Sequence, residues 1–212
     1  MHSKTVSAYL EEGLKQLTFN LPLNGQEKLM TYLALLNKWN KVHNLSAIRE
    51  EKEQIRIHLL DCLAVVPFVK DKDTLADIGT GAGLPGLILS IVFPDKKIYL
   101  VESNRKKVAF LREVKRVLDL EKVEIVSARV ESWQPPKPLP IILSRAVAKI
   151  DTFLKLTEHL GAEDARWALM KAHNDEVCTY PGFVISRIES VEVPLLEAPR
   201  LWIEISREGK LS

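Results

Sequence analysis

The stretch LADIGTGAGLPGLILSI, residues 75–91, decides how this chain reads. Leu75 to Ile78 is a short apolar run suited to a buried strand, and Gly86 to Val92 is apolar enough for a buried helix. Between them Gly79, Gly81, Gly83 and Gly86 open the turn. Glycine allows backbone amides to approach a ligand with no Cβ in the way, and open α/β sheets bind ligands at the carboxyl ends of their strands. A glycine-rich turn from strand to helix therefore predicts a cofactor loop.

Two cofactors compete for it. Gly81, Gly83 and Gly86 satisfy the dinucleotide pattern G-x-G-x-x-G, with Glu102 about 20 residues further on as a ribose acid. The ladder starts earlier, however, as Asp77-x-Gly79-x-Gly81-x-Gly83. An acid at the strand tip would repel a pyrophosphate but attract the sulfonium and α-ammonium of S-adenosyl-L-methionine. Glu102 closes the next strand, KIYLVE (97–102), where its carboxylate can accept from both ribose hydroxyls. After VEIV (123–126), Val130 can pack on an adenine face, and Glu131 or a nearby amide can meet its exocyclic amine. These features favour S-adenosylmethionine over NAD.

Outward from the loop, the chain alternates. IILS (141–144) and RWALMK (166–171) read as further strands, while Asn104–Leu118 and Asp151–His159 read as helices. Such alternation predicts a parallel sheet covered on both faces. FVISRIESVEV (183–193) and RLWIEIS (200–206) close the chain as two strands joined by a hairpin-like loop. Upstream the period is helical. Val6, Leu10, Leu14 and Leu17 predict a helix ending near Thr18 to Pro22. Asn24 with Glu27 suggests a capping box for a second helix over 25–40. Ile55, Leu59, Cys62 and Val66 predict a third, with Pro67 near its end. The expected architecture is α/β, a Rossmann-like, doubly wound and mostly parallel sheet. Residues 1–72 would form a helical extension and 73–212 the cofactor-binding domain.

Composition sets outer limits. The 212 residues are 46% hydrophobic and 27% charged, which suits a self-folding globular chain. Two cysteines, Cys62 and Cys178, give no disulfide framework and no metal-ligand spacing. His58 and Asp61 share a helix face but lack a third ligand, so no metal is expected. No apolar run approaches the roughly 18 residues that span a bilayer, and the start lacks a secretory apolar core. These features predict a cytoplasmic, membrane-free protein. The net charge of +2 hides a basic segment: Lys96 to Lys122 carries nine Lys and Arg against four acids, net +5, leaving −3 elsewhere.

LLNKWNKVHNLSAI (35–48), HLLDCLAV (58–65), ADIGTGAGLPGLILSI (76–91), ESNRKKVAFLREV (102–114) and LSRAVAKI (143–150) resemble the small-subunit ribosomal RNA methyltransferase G family, also called glucose-inhibited division protein B, over essentially the whole chain. The resemblance implies methyl transfer to N7 of a guanine in 16S rRNA, with the 30S subunit or its assembly intermediate as partner; nothing in the sequence demands more than a monomer. It also implies cofactor contacts at Gly79, Leu84, Val130, Glu131 and Arg145.

The residues agree with that chemistry. Guanine N7 carries an in-plane lone pair and no proton, so its attack on a methyl group needs positioning rather than a general base. No catalytic base is assigned. After the fourth strand stands Ser144-Arg145-Ala146, with neither the Asn-Pro-Pro-aromatic element that suits an exocyclic amine nor a cysteine to activate a pyrimidine. Arg145 and Lys171, at expected strand tips, are candidates for phosphate. Arg145 could instead hold the methionine carboxylate or a structural ion pair. Arg105, Lys106 and Lys107, beside the loop, are the other RNA candidates. Trp39, Asn40 and Asn44 are expected to close the junction between extension and sheet, with base stacking as the alternative for Trp39. Methylation of another RNA or a small molecule, an NAD-linked oxidoreductase, and a non-catalytic RNA-binding module stand as rivals.

Overall fold

A computed structural model describes residues 4–145, 149–173 and 177–209. Its strands are β1 (Thr74–Ile78), β2 (Lys97–Val101), β3 (Val123–Val126), β4 (Leu139–Ser144), β5 (Gly161–Lys171), β6 (Phe183–Ser190) and β7 (Leu201–Arg207). They form one sheet in the order β3-β2-β1-β4-β5-β7-β6. β1 to β5 are parallel, and β7 runs antiparallel between β5 and β6. The chain steps from β1 out to β3 and then restarts on the other side of β1 with β4. That reversal opens a crevice at the carboxyl ends of β1 and β4, where doubly wound sheets take their ligands.

Strand side chains alternate between two cores, as a period of two requires. Leu75, Ile98, Leu100, Ile141, Leu143 and Ala168 face one core, and Ala76, Ile78, Tyr99, Val101, Ile142 and Trp167 the other. The second face is covered by α8 (Ile150–Thr157). The first is covered by α6 (Gly86–Val92), α7 (Arg105–Leu118) and the N-terminal helices. Those are α1 (Lys4–Leu14), α2 (Gly25–His43), α3 (Glu51–Gln54), α4 (Asp61–Leu63) and α5 (Val66–Val69), with a π-helical turn over Ile55–Leu60 joining α3 to α4. Leu10, Leu33 and Leu59 belong to the same apolar cluster as Leu87, Leu100 and Phe110. The N-terminal helices thus complete the core of the sheet's first face.

Local expectations fail where backbone or tertiary contacts override periodicity. α1 stops at Leu14, and tighter i→i+3 bonds from Gln16 to Gly13 and from Leu17 to Leu14 take over. Gly13 weakens the helix there and is needed, because a Cβ would lie 2.4 Å from Leu60 Cδ1. Asn24 forms no capping box: at φ 61° it is left-handed and its side chain makes no cap bond. A side-chain cap needs extended backbone at that position. Pro67 lies at the start of α5 rather than ending the preceding helix, since the first turn leaves a proline's missing N–H unneeded. Among the described residues no helix is long and apolar enough to cross a membrane.

Candidate functional site

The turn after β1 is pinned to the end of β2. Gly79 and Thr80 donate to the Val101 carbonyl at 2.9 and 3.3 Å, and Gly83 and Leu84 donate to the Thr80 carbonyl at 2.9 and 3.0 Å. Gly79, Gly81 and Gly83 all have φ between 62° and 86°, a region that L side chains rarely enter. Their surroundings divide the glycines into two classes. A Cβ on Gly83 would lie 2.1 Å from Leu87 Cδ1, and one on Gly86 would lie 2.2 Å from Leu100 Cδ2. These two allow α6 to pack against the strand. Among the described residues nothing lies within 4 Å above Gly79, and above Gly81 only the Gly79 carbonyl and Lys107 Nζ approach, at 3.8 and 3.9 Å. The open side of the loop is thus formed by the two glycines that begin the Asp77-x-Gly79-x-Gly81 ladder. Two of the three dinucleotide-pattern glycines serve packing.

Two carboxylates flank this open side. Asp77 is fully buried; its Oδ2 accepts from Thr80 Oγ1 at 2.6 Å and Gly86 N at 2.8 Å, while Oδ1 has no partner. Burial pushes its carboxyl up to about 7, against the pull of those two bonds and of Arg145. Glu102, at the end of β2, accepts from Gly81 N at 3.0 Å and Asn104 N at 2.8 Å. A carboxylate offers about four lone-pair sites, so about two remain for a ligand diol. A buried acid with one unpartnered oxygen two residues before an open glycine turn, with a half-satisfied carboxylate one strand away, fits a cationic amino acid joined to a ribose.

The remaining candidates separate. Leu84 is buried in the first core, so its side chain serves packing. Val130 is half-buried and Glu131 exposed, on a 3-10 turn (Val130–Ser132) after β3. Arg145 is tied to the N-terminal helices: Nη1 donates to the Ile57 carbonyl at 2.7 Å, inside the π-helical turn, and to Asp61 Oδ2 at 3.3 Å. The ion pair weighed for this residue is the arrangement found. Arg200 Nε donates to the other Asp61 oxygen at 2.8 Å. Ile57, Asp61, Arg145, Met170, Lys171 and Arg200 line a crevice of about 210 Å³ beside the ends of β4 and β5. Lys171 therefore lies where the sequence places it. Arg105 and Lys106 are exposed on the first turn of α7, whereas Lys107 folds back toward Glu102. Ala146 lies outside the described residues.

His58 and Asp61 look to different partners, His58 Nε2 bonding Ser46 Oγ at 2.8 Å. Of the three expected junction residues, Trp39 reaches the sheet domain, while Asn40 and Asn44 bond Ser46 and Arg49 inside the extension. Trp39 packs edge-on against Phe110 of α7, and the Asn40 side chain bonds both backbone groups of Ser46. Two contributors were not singled out in the sequence, and a third, Asp61, was given no partner there. Tyr32 donates to the Ala82 carbonyl at 2.9 Å, holding the loop from α2. A tyrosine within an apolar stripe, whose hydroxyl needs a partner once buried, was the available signal. Arg200 had no local signal, and Asp61, for which a hydrogen-bonded structural role is favoured over metal binding, had nothing nearby to name two arginines as its partners. Replacing Asp61 with asparagine removes the charge that two half-buried guanidinium groups share. It should lower stability by about 1–3 kcal/mol, read as a reduced denaturant midpoint at unchanged slope.

Comparison with known proteins agrees with this geometry. The family model described as rRNA small subunit methyltransferase G matches residues 25–200. Ribosomal RNA small subunit methyltransferase G of Dichelobacter nodosus is 50% identical over 200 residues, covering 94% of this chain and 95% of that protein. The protein of the same name from Methylobacillus flagellatus is 43% identical over 192 residues, covering 90% and 93%. Among solved structures, the mitomycin 7-O-methyltransferase MmcR superposes with a TM-score of 0.58 at 14% identity, covering 87% of this chain and 68% of that one. A SAM-dependent methyltransferase from Aquifex aeolicus gives 0.52 at 21% identity, covering 71% and 92%. The structural likenesses show a shared methyltransferase fold, while the sequence matches run nearly end to end, so this chain belongs to the rRNA small subunit methyltransferase G family.

Proposed function

We propose that the chain methylates N7 of a guanine in 16S rRNA, acting as a cytoplasmic monomer on the 30S subunit or its assembly intermediate. One observation carries the assignment of the site: in a chain of this family, Asp77, a buried acid with one unpartnered oxygen, stands at the end of the strand that leads into Gly79 and Gly81, whose Cβ sides are open among the described residues. The cofactor is S-adenosyl-L-methionine, which when bound supplies an electrophilic methyl group on a sulfonium.

In this reading Asp77 Oδ1 receives the α-ammonium, and the Gly79 and Gly81 backbone lies against the donor. The free lone pairs of Glu102 take the ribose hydroxyls. Val130 packs on the adenine and the backbone near Glu131 meets its amine. Arg145, held by Asp61 and the π-helical turn, shapes the crevice where the base enters, with Lys171 on its lining as the phosphate candidate. Arg105 and Lys106 meet the RNA backbone. Residues 1–72 act as the helical extension of a methyltransferase domain over 73–212. Guanine N7 has no proton to lose, so the chain's task is alignment of lone pair and methyl in a site that excludes water.

Chemical cleavage at N7-methylguanine tests the proposal. In 16S rRNA from cells lacking the gene, one cleavage band should vanish and return on complementation. An unchanged pattern overturns the reading.

A further inference from the structure

The first turn of α7 is electrostatically inverted. A helix N-terminus carries the positive end of the backbone dipole and favours acidic side chains. α7 instead opens with Arg105, Lys106 and Lys107 and has no acid in that turn. Its cap is sound, Asn104 Oδ1 accepting from the backbone of Lys106 at 2.9 Å and of Lys107 at 3.3 Å, so the cations are not needed to start the helix. Three like charges at the wrong end of a dipole suit an anionic partner that neutralises them.

Lys107 does not point with the other two. Its Nζ lies 3.9 Å from Glu102 Oε2 and 3.9 Å from the position of a Cβ on Gly81. The ammonium thus occupies the open side of the glycine loop, against the carboxylate whose remaining lone pairs a ribose would use. The side chain is 37% exposed, and a lysine stem has several rotatable bonds, so it can leave without disturbing the fold.

Resting on the cofactor reading above, we propose that Lys107 couples the two substrates by exchanging Glu102 for an RNA phosphate. In the empty protein it neutralises Glu102 and fills part of the ribose seat. Cofactor binding turns it outward, where it joins Arg105 and Lys106 as a third phosphate ligand. An RNA phosphate that draws it outward frees Glu102 for the ribose. Thermodynamic linkage makes the effect reciprocal: RNA tightens the cofactor and the cofactor tightens RNA by one common factor. The coupling also changes salt dependence, because a lysine moving from a carboxylate to a phosphate adds one released counterion.

The experiment uses the full chain, S-adenosylhomocysteine as a probe that carries the ribose but no transferable methyl, and unmethylated 16S rRNA. Equilibrium dialysis should show wild-type protein binding the probe about 5–10-fold more tightly at saturating RNA. Lys107→Met should bind the probe several-fold more tightly than wild type without RNA and gain less than about twofold from RNA, because the gate is already open. Lys107→Arg should restore the coupling. In salt titrations of RNA binding, the probe should steepen the wild-type slope by about 0.7 and leave that of Lys107→Met unchanged. The double variant Arg105→Met with Lys106→Met should bind RNA more weakly while its RNA-free affinity for the probe stays at the wild-type value. Equal probe affinities with and without RNA in wild type overturn the inference, as does coupling that survives in Lys107→Met. Failure of wild-type protein to bind the probe at all overturns the cofactor reading and the inference together.

Discussion

Gly79→Val is expected to abolish useful cofactor binding while sparing the fold, and Gly83→Ala to do the reverse. Both positions have left-handed backbone, at φ 65° and 86°, so each substitution carries a strain of about 1–2 kcal/mol. They differ in what the new atoms meet. At Gly79 no described residue lies within 4 Å, so the fold pays only the strain, but the side chain enters the volume assigned to the cofactor. An overlap of about 3 kcal/mol, the upper end for overpacking, weakens binding by roughly 100-fold. At Gly83 the new Cβ would lie 2.1 Å from Leu87 Cδ1 and 3.0 Å from Leu111 Cδ2, and both leucines are fully buried. Strain and overpacking together come to about 2–5 kcal/mol, which for a chain of this size lowers Tm by roughly 5–15 °C. Calorimetry and probe titration on both variants separate the two roles. Wild-type affinity in Gly79→Val would show that the cofactor does not lie over the open side of the loop.

Asp77→Asn is expected to weaken cofactor binding at least tenfold at pH 8 and to remove its dependence on pH. Asp77 is buried with one oxygen unpartnered, and burial raises its carboxyl to about 7. A cationic ligand beside Oδ1 requires the ionised form, so wild-type affinity should rise about tenfold between pH 6 and pH 8. Stability runs the other way. Between about pH 4 and pH 7 the folded empty protein retains a proton that the unfolded chain has released, so stability falls as pH rises through that window. Asparagine, which does not titrate, eliminates both slopes. Titration of S-adenosylhomocysteine at pH 6 and 8, with Tm measured at pH 5 and 8, reads both effects. A pH-dependent affinity that persists in the variant would place the titrating group elsewhere.

The site was legible where its chemistry is contiguous. Asp77, Gly79, Gly81 and Gly83 are neighbours in the chain, and a strand before with a helix after fixes which way they face. Glu102 was equally legible, because parallel pairing of β2 with β1 brings the end of one strand beside the end of the other. Arg145 was not, because its partners Ile57 and Asp61 are 88 and 84 residues away.

The basic segment was the least reliable guide. Lys96 and Lys97 lie at the opposite end of β2 from the glycine loop. Lys96 is buried, donating to the carbonyls of Val69, at 2.6 Å, and of Lys72, and Lys97 pairs with Glu124. Lys115 and Arg116 occupy the last turn of α7, one helix length from the site. Of the nine cations, Arg105, Lys106 and Lys107 share the turn beside the loop, and Lys107 folds back onto Glu102. A helix and a strand carry their first and last residues to opposite ends of the domain, so charge that is dense in sequence need not be dense in space.

The amino-acid sequence by itself determined the α/β alternation, the glycine turn after β1 and the acids proposed to serve it, because periodicity, glycine spacing and strand ends are properties of neighbouring residues. The tertiary structure alone decided which glycines stand open and which are filled by Leu87 and Leu100. It also decided that Asp61 anchors two arginines and that Lys107 folds onto Glu102. Those outcomes depend on side chains that meet only after the sheet and its helices have packed, and the resulting distances leave no trace in local composition.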